Sequence, residues 1–195
     1  MNARPARLVA LISGGGRTAL NIADEIDQGH LNTKLVLVVA SKECAGAQRC
    51  RERGLNVIVE KGVIPEARLT QILEDARADL VCLAGYLKLL PIPKRWQGRI
   101  LNIHPALLPK FGGPGMFGDR VHRAVLEAGE QISGCTVHLC TDEFDRGPIV
   151  VQRTCPVVPG DTPETLAARV FEQECVAFPE AIRITLGKLA ANADA

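Results

Sequence analysis

Three stretches in the first half of the chain, Leu8–Ile12 (LVALI), Leu35–Ala40 (LVLVVA) and Leu80–Ala84 (LVCLA), carry no charged side chain and no alternation of apolar with polar residues. A strand with one face in water alternates; an unbroken apolar run of five or six residues is too short for a buried helix and must be covered on both faces. The chain is thereby committed to a parallel sheet sandwiched between helices. Strands are predicted over Arg7–Ser13, Lys34–Ser41, Asn56–Val59, Asp79–Ala84 and Ile100–His104, and helices over Thr18–Gln28, Cys44–Arg53 and Ala67–Ala78. This is a doubly wound α/β pattern.

The rhythm changes in the second half. Arg120–Ala128 reads as a helix, and Cys135–Thr141 and Pro148–Thr154 as strands only a few residues apart, which favours an antiparallel hairpin and makes the sheet mixed. Asp161-Thr162-Pro163-Glu164 places a cap and an early proline before a long helix that should end near Leu186, with the alanine-rich tail beyond it fraying. At 195 residues, one domain is expected, spanning 1–195 with an ordered core of about 6–187.

Two segments carry chemistry. In LVALISGGGRTALNI a strand runs into three glycines and a helix start, and Gly14, Gly16 and Ala19 fit G-x-G-x-x-A, a turn that brings backbone N–H groups against phosphate. The dinucleotide form needs an acidic residue about 20 positions on, and Val36–Ala40 offers none. No Gly-Lys-Ser/Thr follows, so a P-loop is excluded as well. A single phosphate monoester fits best, with Arg17 and Thr18 adding a charge and a hydroxyl; the alternative is a tight turn without a ligand.

The second segment is RILNIHPALLPKFGG, where Asn102 and His104 interrupt an apolar run that Pro105 then ends. Residues at i and i+2 of a strand share a face, so the two polar side chains would emerge together at the carboxyl end of the strand, the edge where open α/β sheets bind ligands. TDEFDRGP, between the last two strands, adds acids. Asp145 is the one that could orient an imidazole and favour its protonated form, while Asp142 and Glu143 are expected to remain solvated.

NIHPALLPKFGG, GCTVHLC and DEFDRGPIVVQ together closely resemble the phosphoribosylglycinamide formyltransferases of purine synthesis. The resemblance extends over nearly the whole chain, through SGGGRTAL, DLVCLAGYLKLLP and RVFEQECVAFP. It implies a Rossmann-like three-layer sandwich and transfer of a formyl group from 10-formyltetrahydrofolate, as co-substrate, to the glycinamide amine. Position by position it implies Asn102, His104 and Asp145 as the catalytic trio, Gly16, Arg17 and Thr18 at the ribotide phosphate, and Glu174 near the glycinamide end. Leu87, Lys88, Leu89 and Leu90, with Thr141, Asp142, Glu143 and Phe144, would line the folate pocket. No metal is required by this chemistry.

Departures from the family pattern are also present. Arg17-Thr18 stands where Ser-Asn is common, and Phe171 where lysine or glutamine often sits. The stretch Gly112–Val125 is longer than in many relatives, and His122 within it is expected to face solvent. The arginine that contacts folate in relatives has no assigned counterpart in this sequence, although Arg68 lies in the general region. The competing readings are a formyltetrahydrofolate hydrolase, whose additional amino-terminal module would have no room before Leu8, and a non-catalytic nucleotide-binding module of the same fold.

Charge narrows the partners. Lys and Arg number 23 against 22 Asp and Glu, leaving +1, so no general basic field recruits nucleic acid or an anionic membrane. The longest apolar candidate, Leu80–Pro93, is interrupted by Lys88 and two prolines and is too short to span a bilayer. The amino-terminal apolar stretch is too short for a signal-peptide core. The expectation is a cytoplasmic monomer or homodimer acting on small molecules. The seven cysteines form no C-x-x-C pair and no metal spacing; reduced thiols are expected, with Cys82 and Cys140 filling core space.

Overall fold

The three apolar runs lie side by side at the centre of one seven-stranded sheet. In the computed structural model, which describes residues 4–193, its strands are β1 (Ala6–Ile12), β2 (Thr33–Ala40), β3 (Val57–Val59), β4 (Leu80–Leu83), β5 (Ile100–His104), β6 (Ile132–Leu139) and β7 (Ile149–Pro156). They are ordered β3-β2-β1-β4-β5-β6-β7. The first five run parallel, and β6 and β7 are antiparallel additions. Of the expected 1–195 span, residues 1–3 and 194–195 lie outside the described residues.

Alternate side chains of the central strands enter two separate cores, which is why no polar residue interrupts them. Leu8, Ala10 and Ile12 of β1 join Val38 and Ala40 of β2 and Leu80 and Cys82 of β4 on one face; Val9, Leu11, Val39, Val81 and Leu83 occupy the other. Helices α1 (Arg17–Asp27), α2 (Ala45–Glu52), α4 (Asp119–Glu127) and α5 (Pro163–Ala193) cover the first face. Helix α3 (Glu66–Asp75) and a 3₁₀ turn at Lys94–Trp96 cover the second, through Leu69, Ile72, Leu73 and Trp96. Burying one such aliphatic side chain stabilises the fold by ~1.5–3 kcal/mol.

The expected elements are all present, with ends displaced by a few residues. The main correction concerns the tail: α5 continues to Ala193 rather than stopping near Leu186. Leu186 and Leu189 pack against the first core, and alanine is the strongest helix former, so packing and propensity together carry the helix onward. No helix among the described residues is long and apolar enough to cross a membrane.

Chain order reverses at β1, whose neighbours are β2 on one side and β4 on the other. The loops leaving β1 and β4 therefore diverge to opposite faces and open a crevice at the carboxyl edge. Buried Ser13, just past β1, fixes its walls: its N–H donates to the Gly85 carbonyl at 3.0 Å, and its hydroxyl accepts from Leu87 N–H at 3.1 Å and from Ser41 at 2.8 Å.

Candidate active site

The glycine-rich turn is shaped by a backbone crossing. Gly16, at φ +71°, precedes α1, and a Cβ there would lie 2.8 Å from the Gly46 Cα; a Cβ on Gly46 would lie 2.4 Å from the Gly14 carbonyl oxygen. Only hydrogen fits on either side, and the Gly46 N–H donates to that same carbonyl at 2.9 Å. Helix α1 has no side-chain cap and no acidic residue in its first turn, and its ladder begins with Leu20 N–H to the Gly16 carbonyl at 3.0 Å. The N–H groups of Arg17, Thr18 and Ala19 thus lie outside the helix's own hydrogen bonding.

Sheet register assembles the polar centre. Antiparallel pairing places Asn102 opposite His138 and His104 opposite Thr136, and directly opposed side chains share a face. The Asn102 amide nitrogen lies 3.1 Å from His138 Nε2 and 3.3 Å from Asp145 Oδ1. His138 Nδ1 lies 3.0 Å from the Leu139 carbonyl, which can only accept, so Nδ1 is a donor there. His104 Nε2 likewise donates to the Phe111 carbonyl at 2.8 Å, leaving Nδ1 3.4 Å from Asp145 Oδ2. Thr136 anchors the segment after β5: its hydroxyl accepts from Leu108 N–H at 3.0 Å and donates to the Ala106 carbonyl at 2.7 Å.

Asp145 reaches this group from the β6–β7 turn in a left-handed conformation, φ +56°. Its Oδ2 accepts from Gly113 N–H at 2.9 Å and its Oδ1 lies 3.5 Å from His138 Nε2. The 108–113 loop packs so closely over it that a Cβ on Gly112 would meet Leu108 at 2.5 Å and Asp145 at 3.2 Å. Burial works against the carboxylate, but His138, His104 and the Gly113 N–H more than offset it and hold the Asp145 carboxyl below its usual range. Burial likewise lowers the His104 pKa, while Asp145 and the Phe111 carbonyl oppose that shift. The site accordingly holds an ionised carboxylate beside an imidazole that gives up its proton readily.

These groups open onto a cavity of about 360 Å³ that gathers most of the expected site residues. Asn102, His104 and Asp145 line it, as do Gly15, Arg17, Thr18 and Glu174, together with Leu87 and Phe144. Gly16 shapes the turn without lining the cavity. An adjoining smaller pocket is lined by Lys88, Leu89, Leu90, Thr141, Glu143 and Phe144, and shares Asn102 and Asp145 with the first. Asp142 lines neither and is exposed, as is Glu143. Leu90 is buried in the second core, whereas Leu87 and Leu89 are exposed. Glu174 is partly buried, and that burial raises its carboxyl to about 7 against the pull of the Arg17 charge.

One expectation is corrected here. His122 does not face solvent: it is 4% exposed and lines the main cavity, because α4 turns it inward with Val121 and Val125. Arg68 lines neither pocket; it lies on the exposed side of α3 and pairs with Glu60. His138 was not singled out from the sequence, although Thr136-x-His138 in β6 repeats the i, i+2 polar signal of Asn102-x-His104 in β5. Met116, Phe117 and Tyr86, which close the cavity, carry no local signal that separates them from core or loop residues.

Residues 6–182 match a family model described as formyl transferase. A chloroplastic phosphoribosylglycinamide formyltransferase of Arabidopsis thaliana is 40% identical over 190 residues, covering 92% of this chain and 65% of the relative. The phosphoribosylglycinamide formyltransferase of Haemophilus influenzae (strain ATCC 51907 / DSM 11121 / KW20 / Rd) is 33% identical over 193 residues, covering 94% and 89%. The crystal structure of glycinamide ribonucleotide transformylase 1 from Symbiobacterium toebii superposes with a TM-score of 0.85 at 35% identity, covering 95% of this chain and 90% of that one. The chain spans less than two thirds of the length of the two plant relatives it matches, 65% and 60%.

Proposed function

This chain belongs to the formyl transferase family, and from that premise we propose that it transfers the formyl group of 10-formyltetrahydrofolate to the amine of 5-phosphoribosylglycinamide, a step of purine biosynthesis. The observation that carries the reading is the convergence of Asn102 (3.3 Å) and His104 (3.4 Å) on Asp145 at the wall of a cavity. The same cavity is also lined by Arg17, Thr18 and Glu174. One ligand could therefore reach from a phosphate site to a reacting carbonyl.

In this assignment Gly16, Arg17 and Thr18 take the ribotide phosphate and Glu174 lies near the glycinamide. The folate derivative occupies the space flanked by Leu87–Leu90 and 141–144, where apolar walls with few polar anchors suit a large planar ligand. As the amine attacks the formyl carbon, the carbonyl oxygen gains negative charge, and pre-placed donors stabilise the tetrahedral species. Asn102 and His104 are those donors. Each already has a partner inside the protein, and the longest of these bonds, Asn102 to Asp145 at 3.3 Å, is the one a substrate oxygen would replace. Asp145 favours the His104 imidazolium and orients it; the proton lost by the attacking nitrogen is passed, through a water held at Asp145, to the departing folate nitrogen.

The test is to mix the protein with 10-formyltetrahydrofolate with and without glycinamide ribonucleotide, following folate product and formylated ribotide together. Tetrahydrofolate released one-for-one with formylated ribotide, and only when the ribotide is present, is the expected result. Release without ribotide would assign water as the acceptor, and absence of turnover despite ligand binding would reject the enzymatic reading.

A further inference from the structure

Several surface arginines lie against carboxylates, as Arg51 does with Glu43 and Arg169 with Asp161. Arg17 does not. Among the described residues it makes no ion pair and no side-chain hydrogen bond; its guanidinium carbon stands 4.2 Å from the centroid of the Phe171 ring. Both residues line the main cavity, and so does Glu174, one turn further along the same face of α5 as Phe171. Glu174 feels the Arg17 charge but lies outside ion-pair distance of it.

The choice of partner matters chemically. A carboxylate holding an arginine takes up its N–H groups and cancels its charge. An aromatic face attracts the cation through the ring quadrupole and uses none of those hydrogens. Arg17 on Phe171 is thus restrained in position while all five of its donors and its full charge remain available to a ligand in the cavity. Restraint removes part of the rotamer entropy that a long side chain loses on binding.

We propose that Phe171 is a positioning residue, holding the Arg17 guanidinium beside the glycine-rich turn so that the phosphate of the acceptor substrate meets a pre-placed cation. This rests on the assignment of Gly16–Thr18 to the ribotide phosphate. Phe171 itself touches neither the phosphate nor the reacting atoms; it acts through Arg17. Its contribution falls on substrate affinity and leaves the chemical step alone.

The experiment measures kcat and the KM for glycinamide ribonucleotide in Phe171→Leu, Phe171→Trp, Arg17→Ala and the Arg17→Ala/Phe171→Leu double variant, with the folate substrate saturating. Phe171 is only partly buried and Arg17 is exposed, so these variants retain the core. Phe171→Leu should raise KM about two- to fivefold, the range expected of a cation–π contact at a partly exposed site, with kcat within about twofold of wild type. Phe171→Trp should keep the wild-type KM, because its face supports the cation at least as well. In the Arg17→Ala background, Phe171→Leu should add nothing. An equal rise in KM with and without Arg17, or no rise in either, would overturn the role of Phe171. If Arg17→Ala itself leaves KM unchanged, the phosphate assignment fails, and the proposal with it; a KM raised by Arg17→Ala but not by Phe171→Leu rejects the positioning role alone.

Discussion

Replacing Asp145 with asparagine isolates charge from shape. At φ +56° asparagine is among the few residues that adopt the left-handed region readily, and its side-chain oxygen can still accept from Gly113 N–H. What disappears is a negative charge 3.4 Å from His104 Nδ1. At that separation a unit charge favours the imidazolium by ~1 kcal/mol at the dielectric of water and by ~5 kcal/mol at an effective dielectric of ~20. The site is buried but opens onto the cavity, so an intermediate figure applies, and the protonated fraction of His104 should fall by ~10²-fold. Burial already lowers the His104 pKa; removing Asp145 lowers it further, so at any given pH less imidazolium is present. The measurements are initial rates of folate product formation over about pH 6 to 9 and an NMR titration of the His104 ring. Turnover should drop by ~10²-fold, the scale typical of a disabled acid–base group, and the His104 midpoint should move to lower pH. A folded Asp145→Asn protein with turnover within about threefold of wild type and an unmoved His104 midpoint would show that this carboxylate does not govern the imidazole.

Three further outcomes are expected. Asn102→Ala and His104→Ala should each lower kcat by ~10²-fold or more in protein that remains folded by circular dichroism; rates near wild type would remove those side chains from the reaction. Gly46→Ala should destabilise the chain by ~1–3 kcal/mol in urea titration and weaken ribotide binding, because its new methyl group would lie 2.4 Å from the Gly14 carbonyl and displace the turn; an unchanged midpoint would mean the crossing is not tight. Glu174 takes up a proton in the folded state up to about pH 7, whereas the unfolded chain releases it near the ordinary glutamate pKa. Stability therefore declines as pH rises between those two values, by at most ~3 kcal/mol. Glu174→Gln should flatten that decline and melt higher than wild type at about pH 8, with little difference near pH 4; equal melting differences at both pH values would contradict the raised carboxyl.

Most of the architecture was legible because burial on two faces leaves a plain trace. Leu8–Ile12 and Leu80–Leu83 alternate between two cores, and that geometry admits apolar residues at every position, so the strands show in the sequence without a periodic signal. Asn102 and His104 were legible for the opposite reason: polar residues inside such a run need a partner or a cavity. His122 was misread because its inward turn depends on how α4 packs, and the segment before it, rich in glycine, resembles exposed loop. The end of α5 was misplaced because a run of alanines looks the same whether it frays or packs, and Leu186 and Leu189 find the core only once the helix lies across it.

The parallel sheet, the tight glycine turn at Gly14–Gly16 and the polar pair at the end of β5 can be read from the chain segment by segment, since hydrophobic pattern, glycine content and strand periodicity are local properties. Folding alone brings Asp145 to His104 across 41 residues of chain, His138 against the Asn102 amide, and Arg17 onto the ring of Phe171. Those contacts depend on strand register and on helices crossing a sheet, and neither is encoded in any one segment.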